Sequence, residues 1–111
     1  RLTTFEGFFG QEFATELAAE RGKADLIIGN NVLAHVPDIN DFVAGIAALL
    51  KPQGVVTFEF PHLAQLVAER QFDTVYHEHF SYLSALAVTR ILERNGLQVF
   101  DLEALSTHGG S

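Results

Sequence analysis

The chain has 111 residues, 48% of them hydrophobic, so it forms one domain or part of one, with enough apolar residues for a core. Its seven basic and fourteen acidic residues leave a formal charge of -7, which repels phosphate backbones, and we expect no nucleic-acid partner. No apolar run approaches the roughly 20 residues that span a bilayer and no signal-peptide pattern opens the chain, so we expect no membrane partner and a soluble, cytoplasmic protein.

The first half of the sequence alternates between helical and extended patterns. Residues 11–21 place apolar side chains on one stripe at helical spacing, and Gly22 ends the predicted helix. Residues 25–31 are a short apolar run, typical of a strand that is buried on both faces. A second helix is predicted from about Asp38, and a proline and a glycine end it. The β-branched and aromatic residues 55–60 predict the second buried strand.

The second half repeats this alternation less regularly. Residues 63–70 predict a helical segment, and Ser84 is the predicted N-cap of a further helix that Asn95 and Gly96 end. Residues 97–102 predict a third strand. Such alternation of helices and strands predicts an α/β fold with a mainly parallel sheet flanked by helices.

Polar side chains follow the predicted strands. The first strand leads to Asn30, Asn31 and His35, the second leads to His62, and the third leads toward His108. In open parallel sheets, ligands bind outside the carboxyl ends of the strands. A single loop histidine is usually a surface or capping residue, but the convergence of several on one rim favours a site.

The densest functional chemistry lies in residues 76–80, Tyr-His-Glu-His-Phe. Histidine suits general-base chemistry because its unperturbed pKa lies near neutral pH. A helix would place Tyr76 and His79 on one face, whereas a strand would place His77 and His79 together. The first arrangement favours proton transfer and the second permits a metal. The structural alternative is a polar loop whose histidines cap helices or meet solvent.

Five stretches resemble known methyltransferases. Residues 25–38, DLIIGNNVLAHVPD, and residues 49–54, LLKPQG, resemble the fourth strand with its loop and the turn before the fifth strand of class I S-adenosylmethionine-dependent methyltransferases. Residues 59–62, EFPH, residues 72–82, FDTVYHEHFSY, and residues 107–111, THGGS, are similar to sugar C-methyltransferases, which methylate a carbon next to a ketone in nucleotide-linked deoxysugars. The resemblance covers nearly the whole chain. It implies a partial Rossmann-like fold, S-adenosylmethionine as methyl donor and a nucleotide-sugar substrate.

By this resemblance, the catalytic residues are Tyr76, Glu78 and His79. Neutral His79 is the candidate base that removes the proton α to the carbonyl, and the resemblance leaves open whether Glu78 takes that proton instead. Otherwise Glu78 would position or polarise an imidazole. Tyr76 or His108 would donate a hydrogen bond to the enolate oxygen.

The resemblance also assigns binding residues. Asn30 and Asn31 are the predicted cofactor-binding residues, because their side-chain amides suit the amino-acid portion of the donor; the alternative is that they cap the next turn. The predicted substrate-binding residues are His62, His108 and Tyr82.

The chain departs from the family at its start. It lacks the family's first strand, the glycine-rich loop, the acidic residue after the second strand and the cysteine-rich zinc segment. We therefore predict that residues 1–111 are the downstream portion of a catalytic domain, a fragment that binds the donor weakly or not at all and is inactive alone. Because missing strands uncover an apolar sheet edge, we expect self-association through that edge.

Two alternative functions remain open from the sequence. One is a non-catalytic α/β binding or scaffold domain with incidental histidines, and the other is a different small-molecule class I methyltransferase. A metal site built from His77 and His79 with Glu59 or Glu78 matches no established structural pattern, and the absence of cysteine excludes thiolate zinc. We therefore predict no metal.

Overall fold

The computed structural model describes residues 2–111, except the side chain of His108. Its helices are α1 (Gln11–Arg21), α2 (Ile39–Leu49), α3 (Leu63–Glu69) and α4 (Ala85–Arg94), and its strands are β1 (Ala24–Asn30) and β2 (Leu50–Glu59). Three single turns of 3₁₀ helix are η1 (Leu33–His35), η2 (Phe72–Thr74) and η3 (Thr107–Gly109). The predicted α/β architecture is confirmed, with a parallel two-stranded sheet flanked by helices.

Helices α1 and α2 pack closely because a glycine lies at their contact. A Cβ atom on Gly45 would lie 2.7 Å from the backbone carbon of Gly10, which precedes α1. Asp38 caps α2 as its predicted start implies, and its Oδ1 accepts the backbone N–H groups of Asn40 and Asp41 at 3.1 and 3.0 Å. Helix α2 contributes to the core cluster against which Ile27 of β1 and Val56 and Phe58 of β2 pack.

The parallel register of β1 and β2 runs from Leu26 opposite Val55 to Asn30 opposite Glu59. Both strands therefore deliver their carboxyl ends to the same edge of the molecule, as the sequence predicts. The prediction that β1 is buried on both faces is wrong for this chain, since Leu26 and Ile28 are 56% and 65% exposed. Within the described residues, β1 pairs with β2 alone, and nothing covers the face that carries these two side chains.

The predicted strand at residues 97–102 does not form in the described part of the chain. Leu97 and Val99 pack against the core, while Phe100 and Leu102 are 77% and 69% exposed. Alternate residues of the segment thus face inward as in a strand, but among the described residues no other strand lies beside it to form a hydrogen-bonded ladder. A pattern of period two is therefore insufficient without a partner.

One core cluster joins α2, η1 and α4. It consists of Leu33, Phe42, Val43, Ile46, Leu83, Val88 and Leu92. Ser84 caps α4 as predicted, because its Oγ accepts the N–H of Ala87 at 3.2 Å, and Gly96 follows the helix in a left-handed conformation. Among the described residues, no helix is long and apolar enough to cross a bilayer.

Candidate functional site

Residues 76–79 form a tight turn, so neither the helical nor the extended alternative holds for this segment. The turn is closed by the N–H of His79, which donates to the carbonyl of Tyr76 at 3.1 Å. The Tyr76 and His79 rings lie together, with centroids 4.3 Å apart. His77 and Glu78 are exposed at the tip of the turn. The turn therefore pairs the phenol with the imidazole that a helix would also have paired.

The imidazole of His79 is half-buried and oriented by the backbone of η2. Its Nδ1 lies 2.8 Å from the carbonyl oxygen of Thr74. A carbonyl only accepts hydrogen bonds, so Nδ1 of neutral His79 carries the proton and Nε2 keeps a free lone pair. Glu78, predicted to position or polarise an imidazole, is exposed, and the contact at Nδ1 of His79 is made by this carbonyl. In this arrangement His79 is equipped to accept a proton at Nε2.

The turn is attached to the segment that follows β1. The N–H groups of Phe80 and Ser81 both donate to the carbonyl of Ala34 in η1, at 2.9 and 3.2 Å. The neighbouring His35 ring meets the His79 ring edge to face, with centroids 4.8 Å apart. His79 therefore lies beside the carboxyl end of a sheet strand and not in an isolated surface loop.

His35 is a functional candidate outside the predicted site residues. Its Nε2 is buried and has no hydrogen-bond partner among the described residues. A buried polar atom without a partner costs roughly 1–3 kcal/mol, so such atoms are often explained by a functional role. The sequence signal was present, because His35 follows the first strand directly.

Tyr82 completes a cluster of four rings. Its ring centroid lies 6.1 Å from that of His79, nearly perpendicular to it. Both tyrosines of the cluster are partly exposed. We call His35, Tyr76, His79 and Tyr82 the imidazole cluster; three of its members were predicted as site residues.

Asn30 and Asn31 lie where the two strands end. Asn30 is exposed and pairs in register with Glu59. Asn31 adopts a left-handed conformation with φ 52°, which asparagine tolerates, and its N–H donates to the carbonyl of Glu59 at 2.8 Å. The exposed amide of Asn30 is therefore suited to a polar ligand group at this end of the sheet.

His62 is held in a different environment. Its Nε2 accepts the N–H of Ala85 at 3.3 Å, at the first residue of α4. Its neighbour Leu63 also donates to the carbonyl of Leu83 at 2.8 Å. The ring nitrogen of His62 that faces the chain is thus used to cap a helix, and the recorded ring contacts of the imidazole cluster do not include it. The predicted role of His108 falls outside the described side chains.

No group of three histidine or acidic side chains among those described lies close enough to share a metal ion.

Two open depressions of about 420 and 290 Å³ lie at the start of α1, and Glu12, Glu16 and Asp41 line both. Three carboxylates disfavour an anionic ligand there. Among the described residues, the imidazole cluster brings two histidine and two tyrosine rings together.

Comparison with known proteins gives the class. The profile of the family described as "Methyltransferase domain" matches residues 4–102, nearly the whole chain. The chain therefore belongs to this family, within the class I S-adenosylmethionine-dependent methyltransferases.

The chain is similar to three methyltransferases of known name. The chain is 41% identical over 110 residues to the C-methyltransferase NovU of Streptomyces niveus, covering 99% of this chain and 26% of that protein. It is 33% identical over 97 residues to the ubiquinone biosynthesis O-methyltransferase of Bartonella quintana, covering 78% of this chain and 39% of that protein. The corresponding enzyme of Bartonella tribocorum is 32% identical over 98 residues, covering 79% of this chain and 40% of that protein. The chain thus spans between about a quarter and two fifths of the length of these relatives.

Proposed function

We propose that this chain is the acid/base portion of a methyltransferase that transfers a methyl group to a carbon next to a ketone of a nucleotide-linked deoxysugar. The observation that carries the proposal is the orientation of His79, whose Nδ1 contacts the Thr74 carbonyl at 2.8 Å and whose Nε2 is left as the basic nitrogen. The 41% identity to a C-methyltransferase over 99% of the chain supports carbon as the acceptor.

In the proposed reaction, Nε2 of His79 takes the proton from the carbon α to the carbonyl. The electron pair of that C–H bond becomes the carbon–carbon double bond of an enolate, and the carbonyl oxygen takes the negative charge. S-adenosylmethionine, when bound, supplies an electrophilic methyl group. The enolate carbon would form the new carbon–carbon bond with that methyl as the methyl–sulfur bond breaks, which restores the ketone and leaves the sulfur as a neutral thioether. His79 then returns its proton to solvent, to which the half-buried ring has access.

The enolate oxygen requires a hydrogen-bond donor. Tyr76 is the proposed donor, because its ring packs against His79 at 4.3 Å and its side chain is partly exposed. Tyr82, whose ring centroid lies 6.1 Å from that of His79, is proposed to contact the sugar. Glu78 is exposed at the tip of the turn, and its carboxylate is proposed to contact the bound substrate.

The fit of the donor to these residues is partial. The exposed amide of Asn30, at the carboxyl end of β1, suits the amino-acid portion of S-adenosylmethionine, and Asn31 shapes the turn that follows. The glycine-rich loop expected of this class does not occur within the 111 residues. Asn30 and Asn31 are therefore proposed to form one wall of the donor site.

The proposal is tested with His79→Gln in the intact protein that contains this chain. We expect kcat to fall about 100-fold or more, the usual contribution of a general base, while calorimetry shows nearly unchanged donor binding. His77→Gln is the matched control, since it lies on the same turn but is exposed. Unchanged turnover in His79→Gln would remove His79 from the mechanism.

Methylation of oxygen is the second candidate, because the Bartonella relatives are O-methyltransferases at 33% and 32% identity. The two candidates differ in which proton is removed. Carbon methylation predicts that the protein exchanges the α-proton of a keto-sugar nucleotide for deuterium in heavy water, even without methyl donor, and that His79→Gln abolishes this exchange. Oxygen methylation predicts no exchange at carbon.

A further inference from the structure

We infer that Thr74 is a positioning residue whose side-chain hydroxyl holds the carbonyl that selects the tautomer of His79. The catalytic consequence rests on the proposed function, whereas the tautomer itself is a property of the free protein. The tautomer of His79 can therefore be tested whether or not the proposed function is correct.

Thr74 is anchored through two donors to one carbonyl. Its Oγ1 donates to the carbonyl of Gln71 at 2.7 Å, and its N–H donates to the same carbonyl at 3.2 Å. The hydroxyl bond is part-buried, so it is partly shielded from water. Its own carbonyl then points at Nδ1 of His79, 2.8 Å away.

The hydroxyl matters because η2 is only one turn long. Single 3₁₀ turns have poor hydrogen-bond geometry and little intrinsic stability. The start of the turn is fixed by the N–H of Gln71, which donates to the carbonyl of Leu66 in α3 at 3.0 Å. Its end is held by the Thr74 hydroxyl and by the N–H groups of Thr74 and Val75, which donate to the carbonyls of Gln71 and Phe72 at 3.2 and 3.1 Å. Loss of that hydroxyl would loosen the carbonyl that orients His79 while leaving the other end of the turn attached.

The chain provides its own reference histidine. His77 lies two residues from His79 on the same turn and is exposed, so its neutral ring samples the tautomers that water favours, mainly with Nε2 protonated. His79 should instead carry its proton on Nδ1. A difference between two histidines of one turn cannot come from pH, buffer or labelling.

The experiment is nitrogen–proton correlation spectroscopy of the intact protein, labelled in its histidines, at a pH where both rings are neutral. We expect Nδ1 of His79 to be protonated in the wild type and in Thr74→Ser, which keeps the hydroxyl. In Thr74→Val, which keeps the β-branched shape, the ratio of the Nδ1-protonated to the Nε2-protonated tautomer should fall about fivefold, as expected for one lost hydrogen bond. Deuterium exchange at the sugar carbon should fall in proportion to the fraction of His79 that carries its proton on Nδ1, with KM unchanged.

Each outcome is decisive. If His79 and His77 have the same tautomer ratio in the wild type, the inference is wrong. This test needs no variant, so it holds even if Thr74→Val folds poorly. An unchanged ratio in folded Thr74→Val also overturns it. If the ratio falls in Thr74→Val but His79→Gln still exchanges deuterium at the wild-type rate, the positioning role is supported and the proposed function is wrong.

Discussion

His35 and His79 meet edge to face, with ring centroids 4.8 Å apart and planes inclined by 66°. One ring follows β1 and the other belongs to a turn 44 residues further along the chain, so the fold itself creates this pair. Two hydrogen bonds to the carbonyl of Ala34 fix the distance between the segments. The contact places a second imidazole beside the proposed base, and the buried Nε2 of that imidazole has no partner among the described residues.

The first prediction separates the packing of His35 from its polarity. His35→Phe keeps a ring against His79 and removes the nitrogens, whereas His35→Ala removes both. Because Nε2 is buried and has no partner among the described residues, we expect His35→Phe to keep kcat and KM for the sugar nucleotide close to the wild-type values. His35→Ala should lower kcat by loosening His79. Steady-state kinetics of the two variants measure both effects, and a raised KM in His35→Phe would show that Nε2 contacts the acceptor.

The second prediction concerns His62, whose Nε2 accepts the N–H of Ala85. His62→Leu leaves that N–H without its acceptor at the start of α4. We expect the free energy of unfolding to fall by about 1 kcal/mol, whatever part His62 takes in substrate binding. Urea denaturation measures the change, with the exposed His77→Leu as control. The KM for the sugar nucleotide in the same variant then tests the predicted substrate contact. Equal stability of wild type and His62→Leu would show that this hydrogen bond does not contribute to the free energy of unfolding.

The third prediction concerns Asp38, which accepts two N–H groups at the start of α2. Asp38→Ala should lower the free energy of unfolding by about 0.5–2 kcal/mol, because both donors lose their acceptor. Asp38→Asn keeps a side-chain oxygen acceptor and is the matched control, which should retain most of the stability. Thermal unfolding distinguishes them, and equal loss in both variants would mean that the charge of Asp38, and not its hydrogen bonds, stabilises the helix.

The parts of the fold that depend on local signals were predictable from the sequence. The N-caps Asp38 and Ser84, and the terminators Gly22 and Gly96, act within one turn of their own helix, so a linear sequence contains all the information required. The strand predicted at residues 97–102 fails for the opposite reason. A strand requires a partner that its own sequence does not encode.

The site divides in the same way. The pairing of Tyr76 with His79 follows from their spacing of three residues, which a turn and a helix share. The contact between His35 and His79 was foreseeable only as a general convergence of loops at one rim. The Thr74 carbonyl, and not Glu78, contacts Nδ1 of His79. This contact depends on the direction of the backbone in η2, which the pattern of side chains in a sequence does not show.

The fourth prediction concerns the free edge of β1. Within the described chain this strand pairs only with β2, and Leu26 and Ile28 expose more than half of their surfaces beside the unpaired edge. We propose that the 111-residue chain associates with itself through this edge, because unpaired N–H and C=O groups next to apolar side chains form a template for another strand. Ile28→Lys places a charge in that interface and should shift light scattering toward the monomer. Leu102→Lys is the matched control, since Leu102 is 69% exposed but lies outside both strands. A monomeric wild type over a wide concentration range would contradict the proposal, as would equal effects of the two lysines, which would indicate a general effect of charge on solubility.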